Sequence, residues 1–415
     1  MIMIKFRGVF IYIVTITLII GGALLDFRNV FADDEATEFM SWGIETMGLD
    51  KAISAIKQKG DAEHLLVAVI DTGVNEAVFH EYFPDRNLSG YCVAACESGM
   101  VDNMGQGTHI ISTIAEGTSD NVDLLMIRVT DSGSFTVTDL IDSINYAISQ
   151  GADVINISAG NVFDFDDKAY NEEYDMTWGE IYRLVWEIEK ETIDEAVDAG
   201  AIIVGSIGND SNNDALYPAS YEKVIGVGAT NEDLTLTNFS NFNEFVDYVA
   251  PGARIEGLNA RYGAEGQEMT ILDQGTSMAA AHVTAAVADI LSFNKNLNFD
   301  EVMELLSSKA IDLGETGRDD YFGNGFIDFS EAEFCVDGIE CDEYGVFALI
   351  IPDEPDDEQE IPIPDTAGDD EVIGSPNTGA LTKREAGSVT ATVLASWPIY
   401  VLVGVGLWWV RKISR

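Results

Sequence analysis

"LLVAVID", residues 65–71, is an apolar run with no polar alternation that stops on an acid. A strand with one wet face alternates apolar and polar residues, so this run reads as a strand covered on both faces, as in a parallel sheet. "LLMIRV" (124–129), "DVINIS" (153–158), "AIIVGSI" (201–207) and "KVIGVGA" (223–229) read the same way. Helical patterns lie between them, among them "TDLIDSINYAISQG" (138–151) and "YRLVWEIEKETIDEAVDAG" (182–200), each closing on a glycine. Strands alternating with helices predict an α/β domain, doubly wound, with a mostly parallel sheet and helices on both faces. We place it at residues 42–347.

Chemistry in such sheets sits beyond the carboxyl ends of the strands. Asp71 ends the first run, and Asn209 follows the fourth in "VGSIGND" (204–210). "NMGQGTHIISTIAE" (103–116) is a glycine-flanked turn into a helix with His109 near its start, and "GTSMAAAHVTAAVADIL" (275–291) puts Ser277 at the mouth of another. Singly these have structural readings: a solvated turn at Asp71, an Asx turn at Asn209, a helix cap at Ser277. Together an acid, an imidazole, an amide donor and a helix-start serine make an acyl-transfer set. Ser277 is the expected nucleophile, His109 its general base, and Asp71 the group that orients the ring. Asn209 and the Ser277 N–H are the expected oxyanion donors.

These motifs resemble the subtilisin-like serine protease family. "VAVIDTGV" (67–74), "GTHIIS" (107–112) and "GTSMAAAHV" (275–283) are similar to its aspartate, histidine and serine motifs. "DVINISAG" (153–160), "YPASYEKVIGVGAT" (217–230) and "YFGNGFIDFSEA" (321–332) add ordered matches. The resemblance implies a serine endopeptidase working through an acyl-enzyme. It makes Ser158, Ala159 and Gly160 an edge that pairs with the substrate backbone, and gives His282 a buried structural place. The family's histidine motif commonly begins His-Gly-Thr-His. Here Gln106 stands first, and the expectation is that catalysis belongs to His109 and not to that first position. A catalytically inactive surface binding or adhesion protein is the alternative function. No metal site is assigned and no cofactor expected; calcium stays open, with no ligands identified.

The ends read as addresses. Residues 1–32 resemble a signal peptide, with Lys5 and Arg7, a charge-free run from Gly8 to Leu25, and Val30-Phe31-Ala32 before the cut. Residues 348–374 form an acidic, proline-containing linker; 352–371 alone hold ten acidic residues, four prolines and no base. Residues 375–415 combine "SPNTG" (375–379), a charge-free span from Gly387 to Val410, and a basic tail. That order resembles a sortase sorting signal cut between Thr378 and Gly379, although Ser375 stands where leucine is usual; a plain membrane helix is the other reading. The expected location is extracellular, at the cell surface. The expected partners are protein or peptide substrates, the membrane through the C-terminal helix, and a sortase.

With 72 acidic against 22 basic residues the net charge is −50, which excludes nucleic acid, since phosphate contacts need Lys and Arg. The cysteines form two close pairs, Cys92/Cys96 and Cys335/Cys341. In an exported chain an even count favours two local disulfides, free buried thiols being the other reading.

Overall fold

Residues 41–93, 99–130, 133–336 and 339–349 are described by a computed structural model. The signal, the sorting motif with Thr378 and Gly379, the C-terminal span, all but the first two residues of the acidic linker, and Cys96 lie outside these residues.

The chain enters through α1 (Trp42–Met47) and α2 (Leu49–Lys59), then β1 (Leu65–Asp71), α3 (Glu76–Tyr82) and β2 (Leu88–Cys92). Next come α4 (Gln106–Glu116), β3 (Val122–Arg128), α5 (Val137–Ser149) and β4 (Val154–Ile157). Three short strands, β5 (Asn161–Val162), β6 (Tyr170–Asn171) and β7 (Met176–Thr177), lead into α6 (Trp178–Asp198) and β8 (Ile202–Ser206). β9 (Leu216–Tyr217), β10 (Val224–Thr230), β11 (Tyr248–Pro251), β12 (Ile255–Leu258) and β13 (Thr270–Asp273) precede the long α7 (Thr276–Phe293). α8 (Phe299–Ser308), β14 (Ala310–Ile311) and β15 (Phe326–Ile327) close the order.

Nine strands form one sheet in the order β14-β15-β11-β10-β8-β4-β1-β3-β2. Every pairing in it is parallel except β14 with β15. The five apolar runs supply β1, β3, β4, β8 and β10, because strands buried on both faces gain most from being apolar throughout.

Helices cover both faces. Ala68, Ile70, Ile155, Ile157 and Ile203 pack with Leu140 and Ile144 of α5 and Ile193 and Ala196 of α6. Neighbouring residues on a strand point to opposite faces. Asn156 therefore faces the other layer, where it accepts a hydrogen bond from Thr284 of α7 at 3.0 Å. α7 is long and apolar enough to cross a membrane, but every residue in it is buried in the domain. Its run of alanines lets it thread the centre of the layer.

α4 begins at the carboxyl end of β1. Its N-terminus is held by Asp102, whose carboxylate accepts from the backbone N–H groups of Met104, Gly105 and Thr108 and from the hydroxyls of Thr72 and Thr108. A carboxylate is favoured there because the first N–H groups of a helix lack partners and carry partial positive charge. Thr72 Oγ1 also accepts from Gly107 N, stitching the end of β1 to the start of α4. A side chain at Gly107 would meet Gly73 O at 2.2 Å, so only glycine permits this approach.

The Cys335–Cys341 disulfide forms, and Cys92 is disulfide-bonded.

Candidate active site

Ser277 lies in the first turn of α7, buried to 5 % exposure, where the helix N-terminus favours negative charge. Asn209, after β8, accepts from Thr276 N at 2.8 Å and from Thr276 Oγ1 at 3.1 Å. Those bonds commit its Oδ1 to the protein and leave Nδ2 as a donor for an incoming oxygen. Ser158, Ala159 and Gly160 leave β4 outside any ladder, and Ser158 O lies 3.5 Å from Ser277 Oγ. Asp71, Ser277, Asn209 and the Ser158–Gly160 edge thus all stand at the carboxyl ends of β1, β4 and β8.

His109 does not join them. Its Nε2 lies 3.0 Å from Ile255 O on β12, and the ring is fully buried. Gly257 makes room for it, since a Cβ there would come within 2.7 Å of the imidazole. Burial pushes its pKa down, against the opposing influence of Asp273 and the backbone at Ile255 and Ile271. The role of general base expected of His109 is therefore corrected: the ring is a packed core group, bonded away from Ser277.

The side chain that reaches the serine is Gln106. Its Nε2 donates to Ser277 Oγ at 3.0 Å and to Ser158 O at 3.2 Å. A backbone carbonyl only accepts, so the Ser158 bond fixes which end of the amide faces the hydroxyl. Gln106 is the first residue of α4 and half-buried, whereas His109 lies about 4.5 Å further along the axis at 1.5 Å per residue. The motif's first position, where the family has histidine, is thus the one facing Ser277. The sequence did carry the signal, as the departure at Gln106, but spacing alone does not tell which of two residues one turn apart points at a distant serine.

The other histidines are elsewhere. His282 Nδ1 bonds Met278 O at 2.8 Å in the interior, with its pKa lowered to about 4 by burial, as its structural assignment expects. His64 faces Asp123, and His80 sits in the last turn of α3.

Asp71 shows what the site lacks. It is 3 % exposed, its Oδ1 accepts from Thr72 N, and its buried Oδ2 has no hydrogen-bond partner among the described residues. Burial raises its pKa to about 7, the Thr72 backbone bond pulling it down and nearby Asp102 pushing it further up. A buried carboxyl whose hydrogen bonding among the described residues is confined to Thr72 holds its proton up to about pH 7.

Among the described residues no group of three or more His, Cys, Asp or Glu side chains is arranged to hold a metal.

Residues 62–325 match the model of the subtilase family. The chain is 30 % identical over 304 residues to subtilisin DY of Bacillus licheniformis, covering 70 % of this chain and 97 % of that one. It is 27 % identical over 321 residues to the minor extracellular protease Epr of Bacillus subtilis, covering 73 % of this chain but only 43 % of Epr. The crystal structure of the psychrophilic subtilisin-like protease Apa1 from Pseudoalteromonas sp. AS-11 superposes with a TM-score of 0.54 at 16 % identity. That match covers 69 % of this chain and 95 % of the other, and is a likeness of fold.

Proposed function

The chain belongs to the subtilase family, and we propose that it acts on extended polypeptides laid along Ser158–Gly160, with Ser277 as the hydroxyl that meets the peptide carbonyl. Subtilase membership and the subtilisin relatives support serine endopeptidase activity. The observation that carries the residue assignment is the position of Ser277 at the start of α7, with its Oγ 3.5 Å from Ser158 O and the preceding residue, Thr276, bonded through its N–H to Asn209 Oδ1.

In this reading the substrate backbone adds as a strand beside Ser158–Gly160. Ser277 Oγ forms a bond to the carbonyl carbon, and the developing oxyanion is held by Asn209 Nδ2, the Ser277 N–H and the pole of α7. Expulsion of the amine leaves an acyl-enzyme, which water hydrolyses. The serine proton needs an acceptor. Gln106 presents N–H to the hydroxyl and does not titrate, so this proton passes to solvent, and the departing nitrogen takes its proton from solvent as well. In subtilisin itself, loss of the base lowers kcat about 10⁶-fold, while the oxyanion hole and binding still give about 10³–10⁴-fold over water. We therefore assign slow endopeptidase chemistry. The binding-protein reading is favoured by one observation, the Gln106–Ser277 hydrogen bond.

The insert that follows Gly160, residues 161–180, carries seven acidic residues and one lysine. Its β5 pairs with β9 beside the edge, so negative potential there favours substrates rich in Lys or Arg. Export and surface anchoring belong to this proposal on the sequence signals at residues 1–32 and 375–415.

A fluorophosphonate probe tests the site in the Gln106→His variant, where a base faces Ser277. Labelling that disappears in Ser277→Ala supports it, and labelling that persists in Ser277→Ala removes Ser277 from the chemistry.

A further inference from the structure

Four observations bear on how long a polypeptide stays in this groove. The amide of Gln106 donates to Ser277 Oγ and is held in that orientation by Ser158 O. All four histidines of the chain are accounted for away from the serine. Asp71 keeps a buried oxygen with no hydrogen-bond partner among the described residues, free to receive an imidazole N–H. Asn209 and the unladdered Ser158–Gly160 edge, which bind but do not transfer protons, are intact.

We propose that the groove is a retention site, which captures an extended, positively charged polypeptide and holds it far longer than it takes to bind. This rests on the reading of the site given above. Binding and turnover separate because they draw on different groups. Strand addition uses backbone N–H and C=O along Ser158–Gly160, and of these groups the side chain at position 106 engages Ser158 O, not those of Ala159 or Gly160. Turnover needs a group that takes the serine proton as the Oγ–C bond forms and returns it to the leaving nitrogen. A primary amide does neither at neutral pH. With Gln106 in that place, the ground-state complex keeps its affinity and loses the acceleration that normally ends it. The occupant's charge follows from the surroundings: the acidic insert next to the edge, and a chain of net charge −50, attract a cationic strand and repel an acidic one.

The experiment uses the full chain and a short fluorescein-labelled unstructured peptide of Lys, Leu, Ser and Gly, with a Glu-for-Lys counterpart as control. Anisotropy reads binding, and mass spectrometry reads cleavage. The wild-type protein is expected to bind the lysine peptide, to bind the glutamate peptide at least tenfold more weakly, and to leave bound peptide intact. Gln106→His is expected to bind with similar affinity and to cleave about 10³-fold faster or more. Gln106→Ala, which removes the amide without supplying a base, is expected to bind and to leave the peptide intact. Wild-type cleavage within tenfold of Gln106→His overturns retention while leaving the site reading standing. Cleavage by Gln106→His with no measurable binding by wild type overturns it as well. Absence of binding and of cleavage in all three proteins sinks the site reading and retention together. If Gln106→His does not fold, the wild-type arm decides alone: peptide bound but cut within minutes contradicts retention, and peptide bound and intact after a day supports it.

Discussion

Gln106 Nε2 lies 3.0 Å from Ser277 Oγ, across a sequence separation of 171 residues. The bond runs in the direction opposite to the one that activates a serine, because the amide gives a hydrogen where a base would take one. The groups proposed as nucleophile, oxyanion donor and substrate edge surround a side chain without basicity.

Replacing that one side chain restores the missing chemistry. Gln106→His is expected to raise kcat on a peptide substrate by at least about 10³-fold, toward the 10⁶-fold that a base contributes in subtilisin. The gain should depend on pH with one sign: activity appears as pH rises through the imidazole pKa, since only the neutral ring accepts the proton. A steady-state pH profile checks both statements, and a flat profile would show that the new histidine is not the base.

The oxyanion role proposed for Asn209 should then become measurable. In the Gln106→His background, Asn209→Leu is expected to lower kcat about 10²–10³-fold with little change in KM. A loss confined to KM would place Asn209 in substrate binding instead.

His109 has a structural part. His109→Ala removes a fully buried ring bonded to Ile255 O and leaves a void beside Gly257. A destabilisation of about 2–4 kcal/mol in urea unfolding is expected. In the Gln106→His background the rate of fluorophosphonate labelling per folded molecule should be unchanged by His109→Ala, whereas loss of a catalytic base would take that rate down with it.

Asp102 sets where α4 starts. It accepts five hydrogen bonds, from Thr72, Met104, Gly105 and twice from Thr108. Asp102→Ala orphans those donors and is expected to destabilise the fold by about 3 kcal/mol or more. In a folded Asp102→Ala, Gln106→His double variant the rescue should shrink, because the helix no longer aims position 106 at Ser277. Full rescue in that double variant would mean that Asp102 does not position α4.

Glu189 makes stability depend on pH. It is fully buried on α6 with neither carboxylate oxygen hydrogen-bonded among the described residues, and burial raises its pKa from 4.5 to about 8. Below about pH 4.5 both folded and unfolded chains hold the proton, and between that value and about 8 only the folded chain does. Stability from this group therefore falls as pH rises through the window, with a ceiling of about 5 kcal/mol. Glu189→Gln keeps the protonated shape without the titration. Urea midpoints at pH 5 and pH 8 should differ less in the variant than in the wild type, and equal differences would mean that Glu189 already ionises freely.

The sequence by itself determined the sheet. Runs that are apolar at every position have no place except between two covered faces, and they became β1, β3, β4, β8 and β10 within a residue or two of their expected limits. It also located Asp71, Asn209 and Ser277, because each follows directly from a strand end or a helix start that local pattern reveals. What only the tertiary structure decided was which residue of α4 meets the serine. Gln106 and His109 are three apart, so on a helix they lie near the same face and neither is favoured by pattern. The choice is made by contacts far off in sequence: the Asp102 and Thr72 bonds that pin the helix start, the close approach of Gly107 to Gly73, and the space at Gly257 that takes the imidazole into the core. Chemical likelihood pointed to the histidine, and the depth of one helical turn gave the place to the glutamine.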